Sequence, residues 1–120
     1  MSLRFTRYLY ETSEVKLSLL ISILYKNIDK ALFWAFELFY SGYKEELTKE
    51  LWTIFYDFYV TLNPSFEKYL LNKIKLVIDD TLVLGSVIHN FIIRPYNADV
   101  FILKCITTNT INSANSANRG

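Results

Sequence analysis

The sequence predicts an all-α fold of about six helices in antiparallel αα-hairpins, arranged as a bundle or a short α-solenoid, with a disordered C-terminal tail. Three observations carry this prediction. Apolar residues recur at helical spacing in six successive segments. Turn residues are scarce, with 3 glycines and 2 prolines, whereas sandwiches and barrels need many turns. The stretches between segments are short, and short connections lay successive helices side by side in opposite directions. The 120 residues suit one domain with a real core and are too few for two. The expected division is a single helical domain over 1–106 and a polar tail over 107–120.

The first helix is expected over 12–26. Thr12 or Ser13 can cap it, and Glu14 lies in the first turn, where the helix dipole favours an acid. Val15, Leu19 and Ile23, beside Leu20 and Leu24, form its stripe. Asn27 and Asp29 break the pattern and can cap the next helix, expected over 28–40. There Ile28, Leu32, Ala35, Phe36 and Phe39 share a face, and Trp34 widens it. Ser41-Gly42 stops the helix, because glycine accepts the left-handed conformation that closes one.

The third helix, expected over 44–62, opens on Glu45 and Glu46. It carries two stripes. Trp52, Phe55, Tyr56 and Tyr59 form one, and Leu47, Leu51, Ile54, Phe58 and Leu62 form the other. A helix apolar on two faces is expected at the centre of the fold. Asn63-Pro64 should start the fourth helix, as cap and first residue. Its stripe is Phe66, Leu70, Ile74 and Val77, opposite Lys68, Asn72, Lys75 and Asp79. A fifth helix is expected from Asp80 to about Ile92, ending before Pro95, since the residue before proline resists helical geometry. A sixth, capped by Asn97, should run over 98–106. From Thr107 onward Thr, Asn, Ser and Ala alternate, and Ser113-Ala114-Asn115 repeats as Ser116-Ala117-Asn118. Little there can be buried, so disorder is expected.

Composition excludes several functional classes. A net charge of +1 gives no global field toward nucleic acid or an anionic membrane. Cys105 is the single cysteine, so an intramolecular disulfide framework and a cysteine-based zinc site are excluded and cytosolic residence is expected. The first ten residues lack the apolar run and small-residue cleavage site of a signal peptide. The longest uncharged apolar stretch, over 81–93, is interrupted by Gly85, His89 and Asn90. A span needs about 20 apolar residues, so no membrane span is expected.

The sequence holds no phosphate-cradling glycine loop, dinucleotide fingerprint or nucleophile elbow. No catalytic, cofactor-binding or metal-ligating residue is therefore assigned, and no cofactor is expected. His89 has no metal-ligand partner at suitable spacing and is expected to pack in the core. Cys105 is expected to be a small buried hydrophobe. Glu45-Glu46 and Asp79-Asp80 sit at helix starts, where acids are expected for dipole reasons. Glu37 is expected to face solvent. Lys68, Lys73 and Lys75, with Arg4 and Arg7, are the candidate phosphate contacts, although Glu67 and Asp79 interrupt them. The aromatic richness, 17% of residues, is the strongest anomaly. Tyrosine and tryptophan are enriched at interface hot spots. The candidate partner-binding residues are therefore Trp34, Tyr40, Tyr43, Trp52, Tyr56, Tyr59 and Phe101, with an open end near 100–106.

Residues 31–66 read ALFWAFELFYSGYKEELTKELWTIFYDFYVTLNPSF, with Tyr8-Leu9-Tyr10 upstream and Arg94-Pro95-Tyr96-Asn97-Ala98-Asp99-Val100-Phe101 downstream. Over about 5–104 the chain resembles a helical protein family encoded by nucleocytoplasmic large DNA viruses, the mimivirus relatives. The resemblance brings no activity, cofactor or site residue with it. It implies a viral protein of the host cytoplasm, in the viral factory or the virion, whose relatives continue as helices beyond Phe101. The expected function is a non-enzymatic helical module that binds another protein or itself. The alternatives are a nucleic-acid-associated factor in viral replication or transcription, and a vestigial truncated copy of a longer viral helical protein.

Overall fold

Short polar side chains start several of the helices. The Asn27 carboxamide accepts a hydrogen bond from the Lys30 N–H at 3.1 Å. The Asp80 carboxylate accepts from the N–H groups of Leu82 at 2.9 Å and Val83 at 3.4 Å. These bonds satisfy donors that a first helical turn leaves free. Asn97 does the same for the Asp99 N–H at 2.7 Å. The computed structural model describes residues 4–118, and the side chains of 4–109. Within that range lie six α-helices: α1 (Thr12–Leu24), α2 (Ile28–Tyr40), α3 (Lys44–Ile54), α4 (Phe66–Val77), α5 (Thr81–Ile93) and α6 (Asp99–Asn118). α3 runs directly into a π-helical turn, Phe55–Tyr59. The described residues contain no sheet, only one isolated bridge between Phe5 and Glu11.

Apolar residues of five helices meet in one core. Val15, Leu19 and Ile23 of α1, Leu38 of α2, and Leu47, Leu51 and Ile54 of α3 are buried against Leu70, Ile74 and Val77 of α4 and Leu84, Val87, Ile88 and Phe91 of α5. Ala31 and Ala35 on α2 are fully buried as well. Such small side chains shorten the distance at which a neighbouring helix packs. α1 and α2 pack together, as do α4 and α5, and α2 also touches α3 and α5. α1 reaches both α3 and α5. In a solenoid each unit touches only its sequence neighbours, so these long-range contacts make the fold a bundle.

The structure corrects three local expectations. Asn63 does not cap α4. Its side-chain amide donates to the Tyr59 carbonyl at 3.1 Å and the Pro95 carbonyl at 2.7 Å, tying the α3–α4 connection to the α5–α6 connection. Helix α4 starts later, at Phe66, after a turn closed by the Phe66 N–H on the Asn63 carbonyl. The third segment ends in π geometry, with the Val60 N–H bonded to the Phe55 carbonyl at 3.0 Å, rather than continuing as α-helix to Leu62. Glu11, not Thr12 or Ser13, occupies the position before α1. Helix α6 is described over Asp99–Asn118. No glycine or proline interrupts 107–118, and the Thr108 hydroxyl donates back to the Lys104 carbonyl at 2.9 Å within the helix. Residues 119–120, and the side chains from position 110, lie outside the described residues.

The segment before α1 folds back as a strap. The Thr6 N–H donates to the Tyr10 carbonyl at 2.8 Å, and the Thr12 N–H donates to the Arg4 carbonyl at 2.9 Å. The strap lies on the α2–α3 turn, where Gly42 adopts φ +87°, the conformation its place at a helix stop requires. There the Arg7 N–H donates to Ser41 Oγ at 2.8 Å, and the Tyr43 hydroxyl donates to the Phe5 carbonyl at 2.9 Å.

Candidate interaction surface

The aromatic residues of 34–59 fall into separate clusters. Tyr59 is fully buried, edge-on to Phe91 at 5.1 Å, which corrects its place among the partner-binding candidates. Burial pushes its phenol far above the ordinary tyrosine range, and its hydroxyl has no hydrogen-bond partner among the described residues. Trp34 is half-buried, edge-on to Tyr10 at 5.1 Å and Phe33 at 4.8 Å. Tyr43 holds the strap through its hydroxyl, and the Arg4 guanidinium lies 5.0 Å from its ring. Trp52 stacks on Tyr56 at 5.7 Å, and the Tyr56 hydroxyl donates to Glu67 Oε1 at 3.0 Å. Tyr40 is exposed, stacked on Phe36 at 5.9 Å with Arg7 5.1 Å from its ring. Most of these rings fasten one element to another.

The charged candidates also divide. Glu37 is 1% exposed, contrary to the expected solvent-facing position. Its carboxylate accepts from Arg7 Nε at 2.7 Å and from the Thr6 hydroxyl at 3.4 Å. A buried carboxylate needs such a partner. Arg4 pairs with Glu46 at 2.9 Å. Arg4 and Arg7 thus each pair with an acid of the same chain while keeping part of their side chains in solvent. Lys68 and Lys75 are exposed on α4, whereas Lys73 is half-buried beside α5. His89 is exposed rather than packed. It lines a groove with Leu32, Phe36 and Gly85, and Glu37 is not among the groove's residues.

The sixth helix leaves a run of apolar residues open to solvent. Its start is seated on the π-helical turn. The Asn97 N–H donates to the Phe58 carbonyl at 2.7 Å, and Phe101 stacks on Phe58 at 5.0 Å. Lys104 Nζ reaches the carboxylate oxygens of the buried Asp57 at 3.3 and 3.4 Å. The wide π turn is what places Asp57 and Phe58 together at this seat; Phe55, Asp57, Phe58 and Tyr59 are all buried. Despite these contacts every residue over 101–109 is exposed. Ile102 is 49%, Leu103 63% and Ile106 55% exposed, and Phe101 keeps 37% of its surface in solvent. Cys105 is exposed too, correcting its expected burial. A crevice of about 300 Å³ runs beside the helix between Phe101, Lys104, Cys105, Thr108 and Asn109.

Sequence reasoning placed the open end at 100–106 and named Phe101. It missed Asp57 and Lys104, which lie 47 positions apart and share no local pattern. Among the described residues no helix is long and apolar enough to cross a membrane. No protein-family model matches the chain, and no curated protein matches it.

Proposed function

We propose that the chain is a non-enzymatic helical interaction module of a large DNA virus, acting in the host cytoplasm, and that α6 is the surface on which it holds an apolar helix of another protein. The viral assignment is supported by the resemblance of residues 31–66. The contact surface is supported by one observation: Phe101, Ile102, Leu103 and Ile106 stay in solvent on a helix anchored near its start. A 20-residue helix extends about 30 Å, and isolated helices are marginal in water. Apolar surface gains about 25 cal/mol for each Å² removed from water. A partner helix laid along this face supplies that burial, in the manner of helix-in-groove recognition.

The test is site-specific photo-crosslinking in infected cells after nuclease treatment, from a probe at Leu103 and a control probe at Lys75. The expected result is one viral or host protein captured at Leu103 and not at Lys75. Once purified, that protein should bind the chain, and Leu103→Ser should weaken binding about tenfold while leaving the melting temperature within about 2 °C. Equal capture at both positions, or capture of a second copy of the chain, would overturn the assignment to another protein.

A further inference from the structure

The groove between α4 and α5 is lined by donors. Tyr69 and Lys73 lie one turn apart on α4, and Ser86 and Asn90 lie one turn apart on α5. With Leu82 and Val83 they enclose about 350 Å³. Asn90 Nδ2 donates to the Tyr69 hydroxyl oxygen at 3.0 Å, so the Tyr69 proton is free to be donated elsewhere. Burial raises the Tyr69 phenol above its ordinary value, so it keeps that proton at neutral pH. Arg94 follows Asn90 by four positions and extends the row. Its guanidinium lies 4.2 Å from the Phe66 ring, and Tyr69 stacks on the same ring at 5.5 Å. The Arg94 Nε is buried without a hydrogen-bond partner among the described residues.

No carboxylate lines this groove. Of the neighbouring acids, Asp80 caps α5 and Glu67 accepts from Tyr56, and Asp79 does not line the groove. Lys73 and Arg94 form no ion pair among the described residues. One cation and two hydroxyls in the groove, with Arg94 near its end and no acid in its lining, form an anion site in search of its anion. Charge-assisted hydrogen bonds to phosphate are roughly twice as strong as neutral ones. The apolar Leu82 and Val83 leave room for an organic substituent beside the anion.

We propose that the α4–α5 groove binds the phosphate group of a small phosphate monoester, with Lys73 and Tyr69 as donors to it and Arg94 adding positive charge. This site is separate from the α6 face and stands or falls independently of it. The test is titration of the full chain with inorganic phosphate, phenyl phosphate and phenol, followed by amide chemical shifts. Phenyl phosphate should saturate with shifts centred on Tyr69, Lys73, Ser86, Asn90 and Arg94. It should bind more tightly than inorganic phosphate, and phenol should not bind. Lys73→Met and Tyr69→Phe should each weaken binding about fivefold, with melting temperatures unchanged, and Lys75→Met should have no effect. Shifts that do not saturate, or an equal loss in Lys75→Met, would mean diffuse surface charge and overturn the site. Tighter binding of an oligonucleotide lacking terminal phosphates, with shifts at Lys68 and Lys75, would overturn the small-ester assignment.

Discussion

Helices α5 and α6 are both rich in apolar residues and meet opposite fates. α5 touches α1, α2 and α4, and its Leu84, Val87, Ile88 and Phe91 are completely removed from water. α6 has the π-helical turn as its main neighbour, and its Phe101, Ile102, Leu103 and Ile106 remain in solvent. In the apolar first turns of α6, Val100–Ile106, the difference lies in the number of neighbours; beyond Thr107 the side chains themselves turn polar. Hydrophobicity creates a demand for burial, and topology decides whether it is met. One consequence is that stability is unevenly distributed, with α6 at the low end because it makes few buried contacts.

The sharpest way to break that comparison is to truncate a ring at the bundle's centre. Phe55 is fully buried between Trp52, Tyr56 and Phe66. Phe55→Ala should cost about 4 kcal/mol in urea unfolding, whereas Leu103→Ser should stay within about 0.5 kcal/mol. Comparable costs at the two sites would show that α6 is integral to the folded unit.

The strap tests the same contrast at intermediate size. Arg7→Ala leaves the Glu37 carboxylate buried without its main partner and should cost about 2 kcal/mol. Arg7→Met combined with Glu37→Met should recover most of that loss, because the cost comes from the orphaned charge rather than from the lost pair. A double variant as unstable as the single one would assign the effect to packing of the strap instead.

The smallest effect concerns a polar atom the bundle buries without a partner. Tyr59→Phe removes the unpaired hydroxyl and keeps the ring against Phe91. It should be neutral or stabilising by up to about 1 kcal/mol. A clear destabilisation would mean that the hydroxyl is bonded to a trapped water.

The bundle was largely legible in the sequence because its determinants are local. The second helix was expected over 28–40 and occupies Ile28–Tyr40, since a good cap, a clean stripe and a glycine stop all agree. The two stripes of the third segment are both partly buried, through Leu51 and Ile54 on one and Phe55 and Tyr59 on the other, while Tyr56 and Leu62 stay exposed. What stayed hidden depends on contacts distant in sequence. Arg7 and Glu37 are 30 positions apart, and Asn63 and Pro95 are 32. Glu37 looked solvent-facing because nothing near it announces an arginine delivered by the strap. Tyr59 looked like an interface tyrosine because its spacing matches that of the exposed Tyr56. Asn63 carries a cap's side chain, and a better tertiary use for its amide displaced the local one.

The π-helical turn ties the position of α6 to the residue count of a different helix. A π turn accommodates one residue more than the α-helix around it, so deleting a single residue within Phe55–Tyr59 would change the register in which its side chains face α6. Asp57 and Phe58 would no longer meet Lys104 and Phe101 together, although the inner stripe through Leu47, Leu51 and Ile54 would be untouched. The seat of α6 therefore depends on the length of α3 and its π turn as much as on the side chains of Phe101 and Lys104 themselves.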